Sequence, residues 1–168
     1  MNKDAKYYVD KFGMLPHPEG GWYKETYRCR EEVSKGHLPS RFNGSRSFST
    51  AIYFILARGQ FSAFHRIKSD EMWHFYDGQA LLIYVINHSG NLEIIRLGRE
   101  VEKGEVLQAV VYAGCWFASC PAFNSEFCLV GCTVSPGFDF EDFELANRQA
   151  LIERFPQHAE AINRLTSP

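Results

Sequence analysis

The stretch of residues 59–78, GQFSAFHRIKSDEMWHFYDG, constrains the fold of this chain more than any other. Its first half alternates apolar and polar residues as a β-strand does, so that His65 and Ile67 share one face and Arg66 lies on the other. Arginine is rarely buried without a partner, and the face that holds His65 is therefore expected to point inward. After the polar turn Ser69-Asp70, a second run alternates in the same way. The stretch thus predicts two consecutive strands around one interior.

A histidine and a carboxylate are expected to meet in that interior. Glu71 opens the second run and shares its strand face with the bulky Trp73 and Phe75. Such polar groups cost free energy in an apolar environment unless they pair with each other or hold a ligand. We therefore predict that His65 and Glu71 line the same pocket; the alternative is a hydrogen-bonded structural pair.

The rest of the chain continues the strand pattern. Short strand-like segments recur at roughly 8–12-residue spacing, which is typical of an antiparallel sandwich or barrel. The clearest are residues 22–29, 48–57, 80–87, 92–97, 105–112, 115–119 and 126–134. A short amphipathic helix is predicted at 4–12, the pattern becomes helical from Asp139, and a last short helix is predicted near 158–165. We expect a single domain over residues 1–168, with the barrel at about 15–138 and C-terminal helices at about 139–166.

Four segments together carry a family resemblance: HPEGGWYKETYR from His17, STAIYFIL from Ser49, the 59–78 stretch, and VSPGFDFEDFE from Val134. They resemble an uncharacterised single-domain cupin family that is filed as a domain of unknown function. The resemblance covers residues 15–155 and implies an all-β fold, a double-stranded antiparallel β-barrel of jelly-roll type with short N- and C-terminal helices. It also implies a homodimer, which would close exposed sheet edges across a two-fold axis.

The same resemblance raises the question of a metal ion. In the first cupin motif, Gly-x5-His-x-His-x3-Glu-x6-Gly, two histidines and a glutamate bind the metal; His65 and Glu71 match, whereas Ile67 replaces the second histidine. The histidine of the second motif falls on Phe117. Neither apolar side chain can donate a lone pair, and a stable first-row metal site normally takes at least three protein ligands. We predict no cofactor and no tightly bound metal. If a divalent metal does bind, its ligands would be His65, Glu71 and His74, although His74 points away from Glu71 on an ideal strand.

A barrel of this size leaves room for one small ligand, which sets the functional alternatives. The leading prediction is a small-molecule-binding cupin. The alternative is an enzyme: either a metal-dependent cupin with a reduced ligand set, or an epimerase or isomerase that resembles the metal-free deoxysugar-nucleotide epimerases. In the latter, His65 oriented by Glu71 would be the base, and Tyr53 or Tyr84 the acid. A structural or storage-type barrel with a vestigial pocket is the third possibility.

Five further residues are candidates for ligand binding. His17 and Glu19 lie in a Gly-rich loop that is either a tight turn or a lid over the barrel mouth. Lys24 lies on the strand that follows this loop. Trp73 and Trp116 would wall the pocket and stack on a flat ligand, although core packing is the commoner use of tryptophan.

Composition argues against several partners. The net charge of −2 gives no electrostatic basis for binding nucleic acid or an anionic membrane. No apolar run approaches the ~20 residues of a membrane helix, and MNKDAKYYVDKFG lacks the apolar region of a signal peptide. The five cysteines are odd in number and contain no CxxC pair, so they are expected to be reduced thiols in a cytoplasmic protein.

Overall fold

Two facing antiparallel sheets form the body of the molecule, for which a computed structural model describes residues 3–167. The six-stranded sheet contains, in spatial order, β1 (Leu15–Pro16), β2 (Trp22–Arg28), β5 (Thr50–Ala57), β12 (Phe127–Ser135), β7 (Asp70–Gly78) and β10 (Gln108–Val111). The five-stranded sheet contains β13 (Glu144–Leu145), β6 (Ser62–Arg66), β11 (Trp116–Pro121), β8 (Leu81–Ile86) and β9 (Leu92–Leu97). A separate pair is formed by β3 (Glu32–Val33) and β4 (Arg46–Ser47). The predicted all-β jelly-roll barrel is confirmed.

Helices close the outer faces of both sheets. They are α1 (Ala5–Phe12), α2 (Arg148–Arg154) and α3 (Ala159–Arg164), with 3₁₀ turns at Lys35–His37, Val101–Lys103, Phe140–Asp142 and Pro156–His158. The predicted N-terminal helix is confirmed as α1. The side chain of Asp4 caps its first turn, and Gly13 ends it in a left-handed conformation. Within residues 3–167, no helix is both long enough and apolar enough to cross a membrane. The predicted domain limits at residues 1 and 168 lie outside the described residues.

Strand alternation decides which side chains reach the interior. On β5, Phe54 and Leu56 point between the sheets, whereas Ile55 points outward and packs under α1. On β6, His65 points inward, whereas Phe64 points outward and is fully buried by the C-terminal helices. Arg66, on the same outward face, is half-buried, and its guanidinium lies 4.6 Å from the ring centroid of Trp116.

The two strands predicted in the 59–78 stretch are present, but they do not pair with each other. β6 belongs to the five-stranded sheet and β7 to the six-stranded sheet, so residues 67–69 carry the chain from one layer to the other. His65 and Glu71 consequently face each other across the interior instead of lying side by side. The predicted common pocket does not depend on a hairpin between these strands.

The predicted helix from Asp139 is wrong over residues 139–147. Residues Phe140–Asp142 form a 3₁₀ turn, Glu144–Leu145 pairs with β6, and α2 begins at Arg148 with Asn147 as its N-cap. The physical reason is tertiary: Phe143 packs against the barrel core, and Asp142 forms a buried ion pair with Arg46. These contacts outweigh the local preference for a helix.

Candidate functional site

A cavity of about 420 Å³ lies between the two sheets. Polar side chains reach its interior from four parts of the chain: the loop before β2, the strand β6, and the neighbouring strands β7 and β12 of the other sheet. We call these side chains the polar cluster; they are His17, Glu19, His65, Glu71 and Cys132. The side chains of His17, Glu19 and His65 are at most 8% exposed, and Glu71 is 8% exposed. Buried groups of this kind must be satisfied by one another or by a bound molecule.

His65 is the centre of the polar cluster. Its Nδ1 lies 2.7 Å from the carbonyl oxygen of Ala63, and because a carbonyl only accepts, Nδ1 carries the proton. Its Nε2 lies 3.0 Å from Oε2 of Glu19. Burial lowers the pKa of His65 and raises the pKa of Glu19. Both shifts favour a neutral pair in which the carboxylic acid of Glu19 donates to Nε2.

Glu71 lies opposite, on β7, with fewer partners. Its pKa is raised to about 7, mainly by burial and also by the nearby Glu19, while His65 and a hydrogen bond from Cys132 lower it. A thiol is a weak donor, so this carboxyl retains unused acceptor capacity inside the cavity. The thiol of Cys132 is itself strongly shifted: burial holds its pKa well above the ordinary value. Cys132 is therefore an unionised neighbour and not a ready nucleophile.

The loop before β2 carries His17 and Glu19 into the barrel. Its backbone is tied to β6, because the amide of Ala63 donates to the carbonyl of Glu19 at 2.7 Å. Gly20 has φ +114°, and a Cβ there would collide with the carbonyl oxygen of Phe61, so no larger residue fits. The tight-turn interpretation thus has a structural basis, and opening of the loop as a lid stays a prediction.

Apolar and aromatic side chains form the rest of the cavity lining. Aliphatic contacts come from Ile52, Ile67 and Val134. We call the ring-bearing part the aromatic wall; it consists of Tyr23, Phe54, Phe138 and Phe140. His17 meets this wall edge-on at Tyr23, with ring centroids 4.8 Å apart.

The segment that bears half of the aromatic wall, residues 138–142, is held by a buried ion pair. Two parallel hydrogen bonds of 2.7 Å join the guanidinium of Arg46 to the carboxylate of Asp142, and both side chains are 3% exposed. Asp142 therefore anchors the segment. The alternation of Phe138 and Phe140 in a polar stretch was a usable sign that one side of this segment is buried.

The mouth of the cavity contains a cation that the strand pattern does not predict. Simple alternation on β2 places Arg28 on the face of Lys24, away from Tyr23. A β-bulge between Glu25 and Tyr27 reverses this, and Arg28 lines the cavity together with Tyr23 and Glu25. No local sequence signal marks the bulge.

Three sequence-predicted residues lie away from the cavity. Tyr53 points outward from β5 and stacks on Phe12 of α1, with ring centroids 4.8 Å apart. Tyr84 points outward from β8, where its hydroxyl accepts a hydrogen bond from Arg164. Lys24 is exposed on the outer face of β2. All three follow the strand parity that places their neighbours inside.

The tryptophans and His74 are also absent from the cavity lining. Trp73 points inward but is packed edge-on between Phe54 and Phe117 in the core. Trp116 faces outward, with a guanidinium above its ring at 4.6 Å. His74 lies on the outer face of β7, where Nε2 contacts the hydroxyl of Thr133 at 3.1 Å. The expected tryptophan wall is thus replaced by the aromatic wall.

The residues at the cupin ligand positions do not fit the usual metal. Ile67 and Phe117 occupy two of those positions, and the ring of Phe117 lies 4.1 Å from that of His65, centroid to centroid. Across residues 3–167, histidine, cysteine, aspartate and glutamate side chains form no group of three or more that could hold a metal ion. The residues present therefore do not fit a metal site of the usual cupin kind. That the purified protein carries no tightly bound metal stays a prediction.

Comparison with known proteins yields relatives without an assigned activity. A family model described as Cupin superfamily (DUF985) matches residues 6–146. An uncharacterised protein of Saccharomyces cerevisiae is 33% identical over 146 residues, which cover 80% of this chain and 71% of the yeast protein. The structure of a protein from Shewanella oneidensis has 39% identity and a TM-score of 0.88, covering 99% of both chains. A hypothetical protein from Leishmania major has 31% identity and a TM-score of 0.89, over 99% of this chain and all of its own.

More distant structures share the fold alone. Oxalate decarboxylase of Bacillus subtilis is 14% identical with a TM-score of 0.53, over 89% of this chain and 36% of the decarboxylase. At that level of identity the likeness concerns the barrel and carries no activity over.

Proposed function

Since the chain belongs to the Cupin superfamily (DUF985) family, we propose that its barrel binds a small organic molecule, without a tightly bound metal. The observation that carries this proposal is the convergence of four buried ionisable side chains from both sheets and a loop on one cavity of about 420 Å³. Ligand pockets in proteins typically measure about 300–1,000 Å³ and combine an apolar lining with a few placed polar groups.

Convergent polar groups favour binding over a structural or storage role. A barrel that serves only as a scaffold gains stability by filling its interior with apolar side chains. Here Glu71 is 8% exposed and has a weak thiol donor beside its carboxyl. Leaving such a group unsatisfied costs free energy, which a bound molecule with a suitable donor would recover.

Proton-transfer catalysis, as in an isomerase or epimerase, is the second candidate. It is favoured by the 3.0 Å contact between His65 and Glu19 and by the pKa of about 7 of Glu71, because an acid or base works best near the ambient pH. Tyr53 and Tyr84 lie outside the cavity, so the acid in this mechanism would be Glu19 or Glu71.

Filling the cavity tests the proposal. Ligand-observed NMR with a library of single-ring fragments should find binders to the wild type that Ile52→Trp, which fills the cavity from β5, no longer binds. Ile94→Trp is the matched control, because Ile94 is 52% exposed on the outer face of β9. Fragments that bind all three proteins equally would show that the cavity is not the binding site.

We also propose a cytoplasmic location and a homodimer whose partner ligand is a small molecule. All five cysteines are free thiols, four of them in or beside the hydrophobic core, which suits a reducing compartment.

A further inference from the structure

The charges around the cavity limit the ligand that it can accept. Its interior holds the carboxyl groups of Glu19 and Glu71 and two imidazoles, and burial lowers the pKa of both His17 and His65. Burial therefore acts against the cationic form of each imidazole. An anionic ligand would meet two carboxyl groups at the inner end and no permanent cation.

The single lysine or arginine that lines the cavity within residues 3–167 is Arg28, at the mouth, and it is already occupied. Glu25 receives two of its hydrogen bonds, at 3.1 and 2.7 Å, and the carbonyl of Phe138 receives a third at 3.0 Å. A bidentate carboxylate neutralises a guanidinium and uses the face that a phosphate would need. Sugar nucleotides, with two phosphate groups, are therefore poorly matched to this cavity.

Glu71 presents the opposite requirement. Its carboxyl is buried and lines the cavity, and among residues 3–167 the Cys132 thiol is the one side chain that donates a hydrogen bond to it. A buried carboxylate is stabilised most by a charge-assisted donor such as an ammonium group. A ligand that carries such a group would supply what the protein itself does not.

The aromatic wall suits the same chemistry. Tyr23, Phe54, Phe138 and Phe140 line the cavity beside the polar cluster, and Phe138 and Phe140 meet edge to face with centroids 5.0 Å apart. Aromatic faces attract cations and also cover apolar carbon, so they can hold both parts of an amine with a ring or short chain.

We propose that the cavity selects a small organic cation, a protonated amine whose nitrogen pairs with Glu71 and whose apolar part lies against the aromatic wall. This proposal rests on the proposed function, because it names the class of molecule bound in the same cavity. It assigns Glu71 the role of charge partner for the ligand. It assigns Arg28 no such role, because Glu25 already pairs with its guanidinium.

Three probes of equal size and different charge test this assignment. Benzylammonium, benzyl alcohol and benzoate are titrated calorimetrically into the wild type at about pH 8, which is above the pKa of about 7 of Glu71. We expect benzylammonium to bind at least about tenfold more tightly than benzyl alcohol, and benzoate to show no heat of binding. Glu71→Gln should remove most of the preference for the ammonium and change the affinity for the alcohol less than about twofold.

Two further variants keep the result interpretable. Glu71→Asp retains the charge and should retain a preference for benzylammonium even if the shorter side chain weakens it. Glu141→Gln is the control, because that side chain lies on the 138–142 segment but is 67% exposed; it should leave all three affinities unchanged.

Other outcomes separate the two proposals. If benzyl alcohol or benzoate binds as tightly as benzylammonium, the cation assignment is wrong and the binding function stands. The same holds if none of the three probes binds while other fragments bind the wild type and not Ile52→Trp. If no fragment responds to Ile52→Trp, both proposals fail.

Discussion

Glu71 shows at the residue scale how burial alters the acid–base properties of one side chain. Its folded-state pKa of about 7 lies above the ordinary value of 4.5. The folded protein therefore holds this proton more tightly than the unfolded chain does. The stability that results is fully present below about pH 4.5 and is lost as the pH rises to about 7.

Glu71→Gln should remove this dependence, because an amide does not titrate. Relative to the variant, the wild type should lose up to about 3 kcal/mol of unfolding free energy between pH 4.5 and 7. Urea unfolding of both proteins at several pH values measures the difference. Parallel stability curves over the whole range would contradict the assigned shift.

Ile67 and Phe117 determine the expected metal content. Because neither can donate a lone pair, we expect purified protein to carry less than one transition-metal ion per chain. Elemental analysis after gentle purification measures this. One zinc, iron, nickel or manganese per chain that disappears in His65→Ala would refute the prediction.

Residue positions could be predicted from sequence where strand parity is regular. Parity places His65 and Glu71 in the interior. The motif around His17 marks the loop whose side chains line the same cavity. Parity places Arg28 on the wrong side, because a single extra residue in β2 reverses every later side chain. Tyr53, chosen for its chemistry and not its parity, lies outside.

At the scale of elements, the 138–142 segment depends on one ion pair. Removing Asp142 leaves the guanidinium of Arg46 buried at 3% exposure, with the largely exposed Glu141 at 3.4 Å as its nearest carboxylate and the carbonyl of Ser45 as an acceptor at 2.8 Å. Asp142→Ala should therefore cost about 3–5 kcal/mol of unfolding free energy. A denaturant titration of the wild type and the variant measures this loss of unfolding free energy.

Glu144→Ala is the control for that experiment. Glu144 pairs with Arg66 at 2.7 Å, a bond as short as those of Asp142, but it is 54% exposed. Solvent screening limits such a pair to about 1 kcal/mol or less. Equal losses in the two variants would show that burial does not set the value of the Asp142 pair.

The same segment explains why one element was predicted wrongly. The sequence from Asp139 has acidic residues and apolar spacing that suit a helix, but those patterns report only on local preference. The partner of Asp142 is Arg46, which lies 96 positions earlier in the chain. No reading of neighbouring residues could reveal a contact of that separation.

At the scale of the whole molecule, the edges of the sheets remain open to pairing. The six-stranded sheet ends at the two-residue β1 and the four-residue β10. Exposed edges favour association with a second copy. We expect a homodimer in solution, with twice the 19.3 kDa mass of the chain by light scattering. A particle of 19.3 kDa at every concentration would exclude it.

His65 and Glu71 belong to different sheets, so any molecule that touches both spans the gap between the layers. Such a molecule would act as an internal brace, joining from within two surfaces that otherwise adhere through apolar packing. The mechanical resistance of the barrel to separation of its sheets would then vary with what it contains. The rigidity of the barrel would therefore depend on whether the cavity is occupied, because the bound molecule would contact both sheets at once.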